Sequence, residues 1–191
     1  MKRIALLLSL VGVPFIVMQT INLRVRNLNS IRFCDQFAGA TADVKITACI
    51  ANLPAAGGIA DTRGLEGAQT ISSIITINKP VRVLLGAASY TSTSANAFNM
   101  TSVGACVIGS GEGITNLIHQ GSGYAIKTFP APQANEAEAQ NCVRDLTIDI
   151  TNVTPTGGID IVGTATNKAN WNDIGSVAFL GSGSSGTQVG I

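Results

Sequence analysis

Short apolar runs alternate with clusters of Gly, Ser, Thr and Asn along most of the chain. Val83-Leu84-Leu85-Gly86-Ala87 is answered further on by Cys106-Val107-Ile108-Gly109-Ser110. Val143-Arg144-Asp145-Leu146 is answered in the same way by Trp171-Asn172-Asp173-Ile174. Recurrence at such a spacing marks one unit stacked on copies of itself, because a single unit cannot bury its apolar face alone. The runs are strand-like and helical periodicity is scarce, so the pattern predicts an all-β chain folded as a parallel β-helix, a solenoid.

Strands are expected at Ile59–Asp61, Gln69–Ile71, Ile74–Ile77, Val81–Leu85, Ser89–Thr93, Val103–Ile108, Asn116–Ile118, Tyr124–Ile126 and Gly158–Ile161. Leu146 to Ile150 alternates, which sends Leu146, Ile148 and Ile150 inward and Thr147 and Asp149 outward. Phe129 to Asn141, with its prolines and glutamates, reads as an exposed loop. Ile21 to Ala40 reads as an irregular lead-in. Residues 41–53 form the one helical pattern, with Thr41 as N-cap and Asp43 in the first turn. Ile46, Cys49, Ile50 and Leu53 make its apolar face, and Pro54 stops it. Such a helix is suited to cover the first open coil of a stack.

Composition agrees with stacked polar-faced sheets. Charged residues are 12% of the chain, about half the usual ~25%. Neither Val83–Gly111 nor Ile174–Ile191 contains an Asp, Glu, Lys or Arg. At the start, Lys2 and Arg3 precede an apolar stretch from Ile4 to Val17, which predicts a secretory signal peptide over residues 1–20. An uncleaved anchor is the alternative, although the stretch is shorter than the ~20 residues of a span. The expected protein is secreted, periplasmic or on the cell surface, and free of the membrane once the signal is removed. Losing Lys2 and Arg3 takes the net charge from +1 to −1. Without a basic excess to neutralise phosphates, nucleic acid is not an expected partner.

Cys34, Cys49, Cys106 and Cys142 form no C-x-x-C pair, which argues against a zinc site, and no metal site is expected from them. Export permits disulfides in three pairings. Cys49 and Cys106 read instead as buried small apolar residues, with Cys34 and Cys142 left open.

Thr41-Ala42-Asp43, Ala48 to Pro54, Gly57-Gly58, Asp61-Thr62-Arg63-Gly64 and Gly86-Ala87 resemble the opening of secreted right-handed parallel β-helix proteins of the pectin lyase-like superfamily. Val107 to Thr115 and Asp145-Leu146-Thr147-Ile148-Asp149 are similar to that fold's recurring coils. The resemblance spans roughly Ile31 to Ile191 and implies a polysaccharide partner. It implies either a lyase or hydrolase whose catalytic coils follow Ile191, or a non-catalytic carbohydrate-binding or attachment protein. Residues 41–191 are then the N-terminal part of the solenoid, which as an isolated product is expected to associate end to end. The Asn-Thr-Asp, Gly-Asp-Asp, Gly-His-Gly and Arg-Ile-Lys segments of polygalacturonases do not occur. Arg63, Arg82 and Arg144 do not match the setting of the pectate lyase base.

The candidate chemistry lies in carboxylates. Asp145 and Asp149 sit about 13 Å apart on one strand, too far to act as a pair. If Asp145 and Asp173 occupy equivalent places on successive coils, they stack at about 4.8 Å. That spacing suits a retaining hydrolase or a Ca²⁺ site, while a turn role bonding nearby N–H groups is the plainer reading. Asp149, Asp160 and Trp171 are the carbohydrate-binding candidates. The lone His119 has no nucleophile–acid partnership and reads as a residue at a strand end, either exposed or hydrogen-bonded to a turn. Gly109-x-Gly111-x-Gly113 reads as a corner rather than a phosphate loop, because a strand and not a helix is expected after it. Asn99-Met100-Thr101 and Asn152-Val153-Thr154 are glycosylation sequons.

Overall fold

The structure, a computed structural model, describes residues 30–129, 141–151, 156–162 and 173–181. The signal segment, Trp171 and the second sequon asparagine, Asn152, lie outside the described residues, as does 130–140 of the expected loop.

A short strand β1 (Ile31–Phe33) runs into a 3-10 turn at Cys34–Gln36 and then the helix α1 (Ala42–Ala51). Strands then follow in threes. β2 (Gly58–Asp61), β3 (Gly67–Ile71) and β4 (Ile75–Ile77) make one set. β5 (Val81–Leu84), β6 (Ala88–Ser92) and β7 (Phe98–Met100) make the next. β8 (Cys106–Ile108), β9 (Asn116–His119) and β10 (Tyr124–Thr128) make a third. β11 (Cys142–Asp149), β12 (Gly157–Ile161) and β13 (Asp173–Leu180) complete the described chain.

Every pairing among these strands is parallel. β1, β2, β5, β8 and the first half of β11 form one ladder. β3, β6, β9 and the second half of β11 form another, joined to the first through β11, along which β13 pairs from end to end. β4, β7, β10 and β12 form a separate four-stranded sheet. Each strand of one set thus lies against its counterpart in the next set.

Inward side chains stack in columns between the sheets. Ile75, Phe98, Ile126 and Ile159 are successive register partners, and so are Val83, Val107 and Val143. Fully burying each such side chain stabilises the fold by roughly 1.5–3 kcal/mol. Of the expected inward residues, Val83, Leu85, Val107, Leu146 and Ile148 are buried, and Ile150 packs against the core from a half-buried position.

Several expectations change. Val83 pairs with Val107, not Cys106, so the register step is one residue longer than the repeated words imply. Inward alternation fixes this, since a one-residue slip would turn every side chain to the other face. Ile31–Phe33, expected as irregular lead-in, is a paired strand, and Phe98–Met100 is a strand the pattern did not mark. At Val103–Ile108 only the last three residues are strand, because Gly104 turns the chain with φ 73°. Thr147, expected to face outward, is buried, its hydroxyl accepting the Gly113 N–H at 2.8 Å from the covering loop. The helix ends at Ala51, and Thr41 holds the N-cap position without a side-chain hydrogen bond.

The cysteines pair. Cys34–Cys49 joins the turn after β1 to α1, and Cys106–Cys142 joins β8 to β11. The reading of Cys49 and Cys106 as unpaired apolar residues is therefore corrected; both are largely buried, but as halves of disulfides. Cys106 and Cys142 are direct register partners on adjacent strands, which brings their Cα atoms to 4.4 Å.

α1 rests against β1, β2, β3 and β4. Ile46, Cys49, Ile50 and Leu53 are buried there as their spacing predicts. Its ends are tied down by polar contacts: Ser73 donates its N–H to Asp43 Oδ2 at 3.1 Å, and Arg32 Nε donates to Asn52 Oδ1 at 2.7 Å.

Candidate functional site

The outward face of the four-stranded sheet gathers the most varied chemistry. Thr76, Asn99, Lys127 and Asp160 are successive register partners on β4, β7, β10 and β12. They alternate with the buried residues Ile75, Ile77, Phe98, Met100, Ile126 and Thr128, so the pleat alone sends them outward. Adjacent strands lie about 4.8 Å apart, which sets a hydroxyl, an amide, an ammonium and a carboxylate in a file across the sheet. Asn99 Oδ1 accepts a hydrogen bond from Asn96 Nδ2 at 3.1 Å, which fixes that amide.

Lys127 is the centre of this file. Its Nζ lies 3.3 Å from Asp160 Oδ2, and both side chains are about one-quarter exposed. The same ammonium sits 5.2 Å from the Phe129 ring centroid and 5.7 Å from that of Tyr124. Each such contact contributes about 0.5–1 kcal/mol at a partly exposed site. A cation held by two rings and a carboxylate keeps one geometry, so the rings are held too.

The sequence candidates fall in different places. Asp160 belongs to this file. Asp149 accepts the Thr151 N–H at 2.9 Å and its hydroxyl at 2.7 Å, which is a turn-forming role. Asp173 pairs with Arg144 at 2.9 Å, with both side chains about half exposed. Asp145 is not brought onto Asp173: the register sets Asp173 beside Cys142, and Asp145 one step from Arg144. That offset along the strand separates the pair on which the hydrolase and Ca²⁺ expectations rest. Among the described residues no three of His, Cys, Asp and Glu converge on a point.

His119 lies at the end of β9, in register with Ser92, but it is fully buried where an exposed or turn-bonded position was expected. Neither ring nitrogen has a hydrogen-bond partner. Burial pushes its pKa below the ordinary imidazole value, opposed by the nearby Gly123 backbone, whose approach falls short of hydrogen-bond geometry. A second buried polar group lies at the corner after β5. There Tyr90 Oη accepts the Gly86 N–H at 3.1 Å and sits 3.2 Å from Thr62 Oγ1, while Thr115 Oγ1 donates to the Gly86 carbonyl at 2.7 Å. Burial raises the Tyr90 pKa, so the phenol stays protonated. These groups hold corners together. The Gly109–Gly113 segment is such a corner too, followed by the strand β9.

Lys127, Tyr124 and Phe129 were missed by sequence reasoning. The signal that carries them is the cross-strand register that sets Lys127 between Asn99 and Asp160, which no local motif encodes.

Comparison of the chain with protein families, with curated proteins and with solved structures finds no match.

Proposed function

We propose that this protein is an exported right-handed parallel β-helix that binds polysaccharide on the outward face of its four-stranded sheet. The observation that carries the reading is the file Thr76, Asn99, Lys127 and Asp160 with the rings of Tyr124 and Phe129 beside Lys127. A sugar chain offers hydroxyls that donate and accept, together with apolar C–H faces. Alternating polar groups beside aromatic rings meet both needs.

The β-helix part of the reading rests on strand order. From β2 to β8 each strand pairs with the third strand after it, and parallel crossovers in one sheet are right-handed in nearly every case. α1 then serves as the cover over the first circuit, and the hydrogen bonds at its two ends fit that task. Two disulfides suit an oxidising compartment, and the Lys2-Arg3 and Ile4–Val17 segment supplies a route to it. Of the two functional expectations the binding one is preferred, because the Lys127 file that supports it lies within the described residues, whereas the lyase or hydrolase expectation puts its catalytic coils after Ile191.

Affinity electrophoresis of the secreted protein through gels containing xylan, a soluble cellulose derivative or polygalacturonate tests this. At least one glycan should retard it, and Lys127→Ala and Phe129→Ala should each weaken that binding about tenfold, as loss of an anchoring side chain does. Mobility unaffected by every glycan, or variants that migrate as the parent does, would remove the proposal.

A further inference from the structure

Away from that face, a shallow recess of about 440 Å³ is lined by Phe33, Asp35, Gln36, Asp61, Arg63 and Gly64. It is built from the end of β1, the turn after it and the corner that follows β2. Its volume falls in the range of small-ligand sites.

Arg63 is the unusual member. Its side chain is 61% exposed, yet it is held by a carboxylate, Asp61, that is only 7% exposed. Asp61 Oδ1 accepts from Arg63 Nε at 3.0 Å and Oδ2 accepts from Nη2 at 2.7 Å. Oδ1 also accepts the Arg63 backbone N–H at 3.0 Å. The pairing lowers the Asp61 pKa, against the opposing effect of burial, and raises that of Arg63. A guanidinium has five N–H donors, and two of them serve Asp61. The others belong to a planar group whose orientation is already fixed, so a ligand meets them without the usual loss of rotamer freedom.

We propose that this recess is a binding site for a neutral sugar unit. Arg63 offers donors only, Asp35 acceptors only, and the Gln36 amide both, which is the set that neighbouring hydroxyls require. Phe33 is 51% exposed and supplies an apolar wall for the C–H face of a ring. Charge selects against an acidic sugar, because two aspartates face one arginine in the lining and a uronate carboxylate would add to the excess. A Cβ on Gly64 would lie 2.7 Å from the Asp35 carboxyl carbon, so a side chain there would push that carboxylate out of its place in the lining. The site shares with the preceding proposal only the class of ligand, and none of its residues belongs to the Lys127 file.

Saturation-transfer NMR and calorimetry on the full secreted protein decide the matter, with neutral gluco-, xylo- and galacto-oligosaccharides set against oligogalacturonate. Binding of a neutral oligosaccharide is expected, weakened about tenfold by Phe33→Ala and by Arg63→Lys. Gly64→Ala should weaken it as well, and Lys127→Ala should leave it unchanged. Phe33 is exposed, so its replacement does not depend on refolding a core. With binding measured in the Lys127→Ala background, where the other face is disabled, the proposal is overturned if no neutral sugar binds, if oligogalacturonate binds as well as the neutral chains, or if adding Phe33→Ala or Arg63→Lys leaves binding unchanged. Loss of polymer retention in Lys127→Ala together with intact recess binding separates the two sites. Failure at the Lys127 face alone leaves this site standing.

Discussion

Asp145 and Ser176 lie opposite each other at one step of the β11–β13 ladder, between the Arg144–Gly175 and Leu146–Val177 partners, and both are left-handed, with φ 57° and 51°. The neighbouring β8 and β9 are separate strands, with Gly109 at the corner between them. A Cβ on Gly109 would sit 2.1 Å from the Asp145 carbonyl oxygen. β11 and β13 turn the same corner without breaking, by one residue in a conformation that costs L-residues roughly 1–2 kcal/mol. Asp tolerates it better than most.

Asp145→Gly should therefore stabilise the protein by about 1 kcal/mol, and Asp145→Val should destabilise it by a similar amount or more, β-branching being poorly accommodated there. Denaturant midpoints measure both. If the two variants unfold alike, the left-handed turn is not a strained point.

The same corner explains how far the sequence could be read. The apolar words at Val83 and Cys106, and at Val143 and Trp171, correctly announce stacked strands, because strand-length apolar runs between turn residues have few other uses. Their alignment is off by one residue in the first case. In the second, Val143 meets Ile174, where the matching of words set it against Trp171. Words match by composition, whereas register is set by which side chains point inward and by the corners between strands. Val83 stands three residues before Gly86 but Val107 only two before Gly109, so aligning the two glycines misplaces the strands by one. Asp160 was legible as a carbohydrate-binding candidate. Its partner Lys127 was not, since the pairing exists only once β10 and β12 are laid side by side. The disulfide between Cys106 and Cys142 was hidden for the same reason.

The two disulfides should differ in worth. Cys106–Cys142 spans 36 residues and Cys34–Cys49 spans 15. On loop-closure entropy alone these correspond to about 4 and about 3 kcal/mol. Paired Cys→Ala variants, compared by thermal unfolding under non-reducing conditions, should show the larger loss for the β8–β11 bond. Equal losses, or none, would mean that the reduced chain retains its closures. Non-reducing peptide mapping should recover these two pairs and no others.

Acid should act in two separate windows. The His119 pKa is lowered in the fold, so the unfolded chain binds more protons once pH falls below the ordinary imidazole value near 6.5. Stability is complete above that value and declines below it, by at most about 1.4 kcal/mol per pH unit for one proton. The Asp61 pKa is also lowered, by its bonds to Arg63, so its contribution is present above the ordinary carboxylate value and is lost as pH falls through the lowered one. His119→Leu should abolish the decline that begins below the imidazole value and leave the lower one. A variant that keeps the upper slope would show that other groups produce it.

Lys79 holds the last turn of α1. Its Nζ donates to the carbonyls of Ile50, Ala51 and Leu53 at 3.2, 3.1 and 2.6 Å. A helix leaves its final carbonyls without intrahelical partners, and a cation there also suits the helix dipole. One side chain from the β4–β5 connection thus satisfies three acceptors at the end of a ten-residue helix. Lys79→Met keeps the aliphatic stem and removes the donors, so it isolates this contribution. A loss of about 1–3 kcal/mol is expected, in the range for charge-assisted bonds. Amide exchange should accelerate along Ala42–Ala51 before it does in β5–β9. Arginine at this position should restore part of the protection, since it remains a cation with donors to spare. Uniform acceleration throughout the strands instead would show that the helix and the strands it packs against open as one unit, with Lys79 serving the whole rather than the helix end.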